Sequence, residues 1–350
     1  MFTELREFER PLGGEIVAPD EAPAFCTDVL AQLDYLFLGH PSAVPALTIA
    51  GGLLADGTSV SGAGESPCAA LVRLAGEAAE QLGLRAVVEG LSPSGNVPLL
   101  DWNGVHAGHG ARTVLPLTST DTAGFSEGLA AHTEIASARL HGVLELFERD
   151  AAAHWWAGAT PAVLLTDTEE AVVEALGARP NRQTRVVDVT CDTGVPVVVA
   201  ASFDDCGADF CFGAAAGASL GAAMGGALRE LGAAEFGQIL EQSRGGKDTV
   251  EKHGQSADTL TLSVLETQMV AQKMSLKTKV NMCNTIAKGE WHGVLRRNGI
   301  GIVDLGCVGG HFRVIKAVSA ELQPGREIYD CPRFQEALLG KTRRTQEPLY

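Results

Sequence analysis

The chain is poor in aromatic residues, poor in basic residues, and lacks any Cys-x-x-Cys pair. Phe, Trp and Tyr make up 5% of its 350 residues, while glycine alone contributes 41. A core must therefore be built from small and aliphatic side chains with backbones close together. Lys plus Arg number 27 against 43 for Asp plus Glu, a formal charge of -16. That balance disfavours nonspecific binding to nucleic acid or to an anionic membrane, because both need a positive field. The uncharged stretch Cys211 to Leu228 is mostly Ala and Gly, too weakly apolar for a membrane span. The first ten residues carry no apolar segment of the kind a secretory signal needs, so a cytoplasmic protein is expected. Eight cysteines without a paired spacing predict reduced, mostly buried thiols. Cys206 and Cys211 stand close, but no His or Cys lies at an interval that would complete a zinc site.

Hydrophobic residues at 45% and charged residues at 20% permit a substantial core and exclude disorder as the overall state. Residues 1–60 read as a lead-in of strands and turns with one helix, Ala24 to Leu38, spaced at Val29, Leu30, Leu33, Leu36 and Phe37. Pro67 to Leu84 reads as a helix with Ser66 as its cap, Pro67 in its first turn and Gly83 near its stop. Arg85 to Val88 and Thr113 to Leu117 are strand candidates. Glu127 to Ala157 is the longest helical pattern, striped by Leu140, Val143, Leu144 and Phe147. Further along, Ala162 to Thr166, Thr184 to Val189, Pro196 to Ala201, Gly301 to Leu305 and Phe312 to Val318 read as strands. Glu169 to Leu176, Ser219 to Glu241 and Thr259 to Met274 read as helices. Interleaved strands and helices with no dividing linker predict an α/β or α+β class.

Three helical segments carry glutamates. Glu77 and Glu80 are spaced i, i+3, as are Glu145 and Glu148, and Glu230 is followed by Glu235. The i, i+3 spacing puts both members of a pair on one helix face. Ala, Gly and aliphatic residues flank these faces rather than Lys. Two like charges 4 Å apart repel by about 4 kcal/mol at an effective dielectric of 20, so converging carboxylates need cations. Oxygen ligands select Mg²⁺ or Ca²⁺, and Mg²⁺ held this way usually brings a phosphate with it. The plainer alternative is a set of solvated helix faces, with Glu145 and Arg149 forming an ordinary i, i+4 ion pair.

The stretch Gly128-Leu-Ala-Ala-His-Thr133, then Gly142-Val-Leu-Glu145-Leu-Phe-Glu148-Arg149-Asp150-Ala151 and Trp155, resembles the central signature of the YcaO-domain family. Ala70 to Gln81 is similar to that family's earlier Glu-x-x-Glu helix, Gly217 to Glu230 to its third element, and Gly299 to Pro324 to its late strand pair. The resemblance covers about residues 60 to 350. It implies a YcaO-like ATP-binding domain with mixed sheets and packed helices over residues 61–350, with residues 1–60 part of it or packed on it. Glu77, Glu80, Glu145, Glu148 and Glu230 are the implied Mg²⁺ ligands, Arg149 a phosphate contact, and Thr133 a nucleotide contact.

The implied activity is ATP- and Mg²⁺-dependent phosphorylation of a peptide-bond oxygen. Cys, Ser or Thr side chains then close azolines in a ribosomally made peptide. The alternatives within the resemblance are thioamide formation with a TfuA-like partner, or a scaffold that has lost catalysis. Implied partners are a precursor peptide and a separate leader-binding or E1-like protein, in a homodimer or hetero-oligomer.

The chain departs from the family pattern at Leu74, where Ser is frequent, at Gln81 in place of Arg, at Ala63 in place of Lys, and at Ala233 in place of Gln or Arg. Pro348 near the end reads as the remnant of an azoline-type tail. His132 reads as a packed or nucleotide-adjacent residue, and His154, Trp155 and Trp156 as core. The Gly-rich Gly213 to Gly226 stretch lacks the Gly-Lys-Ser/Thr of a phosphate loop and reads as close helix packing.

Overall fold

In the computed structural model the described residues are 2–9, 22–90, 96–111, 115, 127–243, 261–283, 285–287, 289–319 and 321–322. In chain order they form β1 (Phe2–Glu9), a 3-10 turn (Ala24–Cys26), α1 (Thr27–Leu30), β2 (Leu33–Pro41), β3 (Thr48–Leu54), β4 (Ser59–Gly64) and α2 (Pro67–Gly90). There follow β5 (Asn96–Leu100), β6 (His106–Ala111), β7 (Leu129–His132), α3 (Ile135–Trp156), β8 (Val163–Thr166), α4 (Glu169–Leu176), β9 (Arg182–Asp188), β10 (Val197–Asp204), β11 (Cys211–Ala216) and α5 (Leu220–Ser243). Next come α6 (Leu262–Val264), running into a π-helical turn (Leu265–Met269), then β12 (Gln272–Ser275), α7 (Leu276–Met282), α8 (Trp291–Arg297), β13 (Ile300–Val308) and β14 (Phe312–Ser319).

The chain divides into two compact units, one of Met1–Ser42, Leu47–Leu146 and Trp291–Glu321, the other of Ala43–Ala46, Phe147–Glu290 and Leu322–Tyr350. The first unit holds a sheet of order β1-β2-β3-β4 and a second of order β6-β5-β13-β14-β7. Their core includes Leu36, Leu38, Leu71, Leu74, Ala78, Leu305 and Val314. The second unit holds the sheet β11-β10-β9-β8-β12, antiparallel except for the parallel β8–β12 pair. Its core gathers Trp155, Val187, Val197, Val199, Phe203 and Leu265. Mixed sheets with packed helices are the architecture expected.

The α2 helix shows how local sequence places the site. Ala69 N–H donates to Ser66 Oγ at 3.2 Å, which confirms the cap, and Pro67 opens the first turn where its missing N–H costs nothing. Ala70, Leu71, Leu74, Ala75, Ala78 and Ala79 are fully buried along one face. That face lies on β4, where a Cβ on Gly62 would come within 2.5 Å of Leu74 N. The small residue lets helix and strand backbones approach.

Several expectations are corrected. Leu33 to Leu38 belongs to β2 rather than to a helix, because strands β1 and β3 pair with it on both edges and outweigh a spacing compatible with either structure. Arg85 to Val88 is not a strand. The α2 helix passes through Gly83, whose bare backbone packs on Val314, and continues to Gly90. Leu129 to His132 leaves the expected helix to pair with β14, after Gly128 turns the chain at φ +72°. The expected helix to Met274 ends early because Gln272 to Ser275 pairs with β8. Thiols are less hidden than expected: Cys26, Cys191 and Cys211 are buried, but Cys68, Cys206 and Cys307 are exposed. Apart from Leu115, the Thr113 to Leu117 segment lies outside the described residues, as do the last twenty residues and the tail reading placed on them. Among the described residues no helix is long and apolar enough to cross a membrane.

Candidate functional site

In the first unit, α2 carries Glu77 and Glu80 one turn apart. Glu77 Oε2 accepts from Ser61 N–H at 2.7 Å and from Ser61 Oγ at 3.3 Å, so β4 aims the first carboxylate. Glu80 Oε1 accepts from Ala131 N–H at 3.0 Å, so β7 aims the second. Glu145 comes from α3. Burial, then the neighbouring Glu145 and Glu77 carboxylates, push the Glu80 carboxyl well above the usual range, against the Ala131 hydrogen bond that lowers it. The Glu145 and Glu77 charges thus both bear on Glu80.

The α3 backbone is set by two glycines. A Cβ on Gly142 would lie 2.5 Å from Gly128 O and 2.6 Å from Ile315 Cδ1. Leu146, on the same helix face, packs against Gly128. Ala317 N–H donates to Gly128 O at 2.7 Å. The turn before β7 is thus sandwiched between α3 and β14, and Glu145 follows Gly142 by one turn.

Glu148, Arg149 and Glu230 belong to the second unit. Arg149 Nε lies 3.6 Å from Oε1 of its chain neighbour Glu148. Burial raises the Glu230 carboxyl, while Arg149 and then Arg229 draw it back. Arg149 therefore faces Glu230 as well as Glu148, and Arg229 joins them unforeseen. Thr133 is exposed in the turn that leads into α3, beside His132, whose Nδ1 accepts from Glu134 N–H at 3.0 Å. His132 also makes an edge contact with His141 at 5.6 Å.

Other candidates go to structure. Glu235 does not join Glu230. It is 2% exposed and bound by Arg179, by Arg182 at 3.3 Å and by Ser202 Oγ at 2.6 Å. Trp155 is core, as expected, with its Nε1 donating to Met269 O at 2.8 Å. Burial pushes the Cys26 and Cys211 thiols up to about 12, so neither supplies a thiolate near neutral pH. A pocket of about 260 Å³ between α4 and β9, lined by Arg179, Arg182 and Arg185, contains none of the expected residues. Its arginines are engaged by Glu235, Asp209 and Glu266.

Among the described residues no three His, Cys, Asp or Glu side chains form a ready metal cage. The donor set nevertheless fits Mg²⁺. That ion takes one or two carboxylates, keeps waters and completes its shell with substrate phosphates rather than with an all-protein cage. Burial and two neighbouring carboxylates disfavour the Glu80 anion, and a divalent cation would offset that cost.

Sequence reasoning missed Ser61, Arg229 and Lys316. Lys316 is 4% exposed in β14, with its Nζ donating to Glu127 O at 2.7 Å. The available signal was a lone lysine inside the apolar run Val314 to Val318. Ser61 and Arg229 had no distinguishing signal, since short polar and basic residues are common on turns and helices.

A family model described as YcaO cyclodehydratase, ATP- and Mg²⁺-binding, matches residues 96–281. No curated protein matches the sequence. Among solved structures, a heterocyclase in complex with substrate and cofactor superposes with a TM-score of 0.59 at 15% identity, over 99% of this chain and 55% of that one. The chain thus spans about half the length of that relative. The E. coli microcin synthetase McbBCD complex with pro-MccB17 bound gives 0.64 at 14% identity, over 83% of this chain and 89% of that one. The YcaO protein of Methanopyrus kandleri bound with AMPPCP and Mg²⁺ gives 0.62 at 16% identity, over 85% and 87%. At these identities the likeness is one of fold.

Proposed function

The chain belongs to the YcaO family, and from that premise we propose that it activates a peptide-bond oxygen by ATP- and Mg²⁺-dependent phosphorylation and so converts Cys, Ser or Thr to azolines in a ribosomally made peptide. The observation that carries the reading is the pair Glu77 and Glu80 one turn apart on α2, aimed by Ser61 and the Ala131 amide, with burial and the Glu145 and Glu77 charges raising the Glu80 carboxyl. An amide oxygen is a poor leaving group. Once phosphorylated it departs as phosphate after the side chain attacks the carbonyl carbon, and the peptide loses one water overall. Mg-ATP supplies the transferable phosphoryl group and the charge neutralisation.

The chain's own residues bind and orient. Glu77, Glu80 and Glu145 hold Mg²⁺, with Ser61 and the Ala131 amide fixing two of them in place. In the second unit, Glu148 and Glu230 are proposed as further Mg²⁺ ligands and Arg149 as a phosphate contact. Thr133, exposed ahead of α3, contacts the nucleotide. No enzyme nucleophile is required, because phosphoryl transfer rests on positioning and charge neutralisation. A precursor peptide and a separate leader-binding, E1-like or TfuA-like protein are the proposed partners, in a homodimer or hetero-oligomer. The likeness to the microcin synthetase complex supports work in an assembly.

A catalytically silent scaffold is the second reading, and one observation favours it. Leu74, where the family pattern has Ser, is fully buried and carries no polar group. Calorimetry separates the two. Glu145→Gln and Glu148→Gln are each expected to weaken Mg-ATP binding by at least about tenfold, equivalent to 1.4 kcal/mol, with the fold intact. Equal affinity in wild type and both variants would overturn the ligand assignment, and no Mg-ATP binding by wild type would favour the scaffold. Product mass then distinguishes azoline, which loses water, from thioamide, which exchanges oxygen for sulfur.

A further inference from the structure

Two side chains of α2 close the outer edge of β4. In the sheet of order β1-β2-β3-β4 this last strand pairs with β3 on one side. On its other side Ser61 N–H donates to Glu77 Oε2 at 2.7 Å, and Ala63 O accepts from Arg73 Nη1 at 2.7 Å. Arg73 and Glu77 stand i, i+4 on the helix and Glu80 follows at i+7, so all three share one face. The strand is shaped for the guanidinium. A Cβ on Gly64 would come within 2.7 Å of both Arg73 Nη1 and Ala70 N, so only a bare backbone leaves room for helix and fork together. Two turns further along the same face, Glu80 meets the Ala131 amide of β7, two residues before the exposed Thr133.

The contact with Ala63 orients Arg73 without neutralising it. A main-chain oxygen carries no net charge, and a guanidinium has five N–H donors in a fixed fork. The side chain is 40% exposed, and the Glu65 carboxylate it approaches to 3.6 Å is 72% exposed, too distant for a hydrogen bond and screened by water. We propose that Arg73 is a phosphate-binding residue of the nucleotide site, a cation that the fold sets one turn ahead of the Glu77–Glu80 carboxylates. This rests on the reading of those carboxylates as Mg²⁺ ligands and adds the group that takes hold of the phosphates themselves. Residues four apart on a helix are neighbours, with Cβ atoms about 5–6 Å apart, so a phosphate brought to Glu77 by Mg²⁺ arrives within reach of the fork. A chain of net charge -16 gives a triphosphate no long-range attraction, which leaves local cations to supply it. An arginine fork matches phosphate oxygens in pairs, and one already moored to a carbonyl loses little freedom when it binds.

The test combines calorimetry with Mg-ATP and thermal melting with MgCl₂ alone, on the full chain, for wild type, Arg73→Gln and Arg73→Lys. Arg73→Gln is expected to weaken Mg-ATP binding roughly tenfold to a hundredfold, the range of a charge-assisted hydrogen bond. Arg73→Lys is expected to keep part of the affinity, because it keeps the charge and loses only the fork. The response to MgCl₂ alone should not fall with it. With no cation beside Glu77 to repel the ion, Mg²⁺ should raise the Tm of Arg73→Gln at least as much as that of wild type. A loss of both Mg-ATP affinity and the Mg²⁺ response would make Arg73 a cap on the β4 edge that merely holds Glu77 in place, and would overturn the proposal. Equal losses from the Lys and Gln variants would overturn it as well, and so would an Arg73→Gln chain that fails to fold. Failure of the metal reading looks different. No Mg-ATP binding by wild type would sink both, whereas wild-type binding that survives intact in Arg73→Gln removes Arg73 alone and leaves the carboxylates as they stand.

Discussion

Glu80 in the first unit and Glu235 in the second both sit on long helices with restricted access to water, yet they keep opposite company. Glu235 is held by Arg179, Arg182 and the Ser202 hydroxyl, so its charge is compensated within the fold. Glu80 accepts one backbone N–H and otherwise meets Glu145 and Glu77, which push its carboxyl well above the usual range. A glutamate surrounded by cations holds a structure together. A glutamate surrounded by carboxylates carries a cost that a proton or an added cation removes, and such arrangements concentrate at functional sites.

The contrast breaks most visibly at Glu235. Glu235→Gln strands two guanidinium groups beside a neutral amide and is expected to cost about 3–5 kcal/mol in urea unfolding, by the same amount with or without Mg²⁺. A loss that Mg²⁺ alters would blur the distinction between the two glutamates.

A smaller effect is expected from Gly142→Ala. The added methyl meets the Gly128 carbonyl and Ile315, and forcing α3 outward is expected to cost about 1–3 kcal/mol. It should also weaken Mg-ATP binding in calorimetry without changing a single charge, because Glu145 follows one turn later. Destabilisation with unchanged nucleotide affinity would show that Glu145 does not depend on this seat.

The smallest effect sharpens the comparison by its sign. A carboxyl whose folded-state pKa is raised contributes its full stability below the unfolded-state value and loses it as pH rises through the folded-state value. Glu80→Gln should therefore raise the Tm of the metal-free chain by about 3 °C near neutral pH, and the gain should vanish on acidification below the ordinary glutamate range. Glu235→Gln is expected to destabilise at neutral pH, so the two substitutions should move Tm in opposite directions. A destabilising Glu80→Gln in EDTA would show that its neighbours are already compensated.

Much of the site could be read from residue order. The i, i+3 spacing of Glu77 with Glu80 and of Glu145 with Glu148 puts each pair on one helix face whatever the rest of the chain does, since helix periodicity is local. The Ser66 cap and Pro67 start of α2 are local for the same reason. What escaped was pairing at a distance. Leu33 to Leu38 fits a helix by spacing and becomes β2 because β1 and β3 flank it. Leu129 to His132 looked like the start of α3 and instead pairs with β14, nearly two hundred residues on. Ser61 and Lys316 acquire meaning only once β4 and β14 are laid beside the glutamate helices.

By itself, then, the sequence determined the helices that carry the carboxylates, the acidic excess that makes a cation necessary, and the motif order shared with the YcaO family. Tertiary structure decided the company each charge keeps. It set Arg149 beside Glu148, enclosed Glu235 among arginines, and turned the Lys316 ammonium to the Glu127 carbonyl. The reason is that backbone periodicity is fixed by neighbours in the chain. A charge's energy is fixed by whatever lies within a few ångströms, and only the packing of β4, β7 and β14 against α2 and α3 brings those partners in.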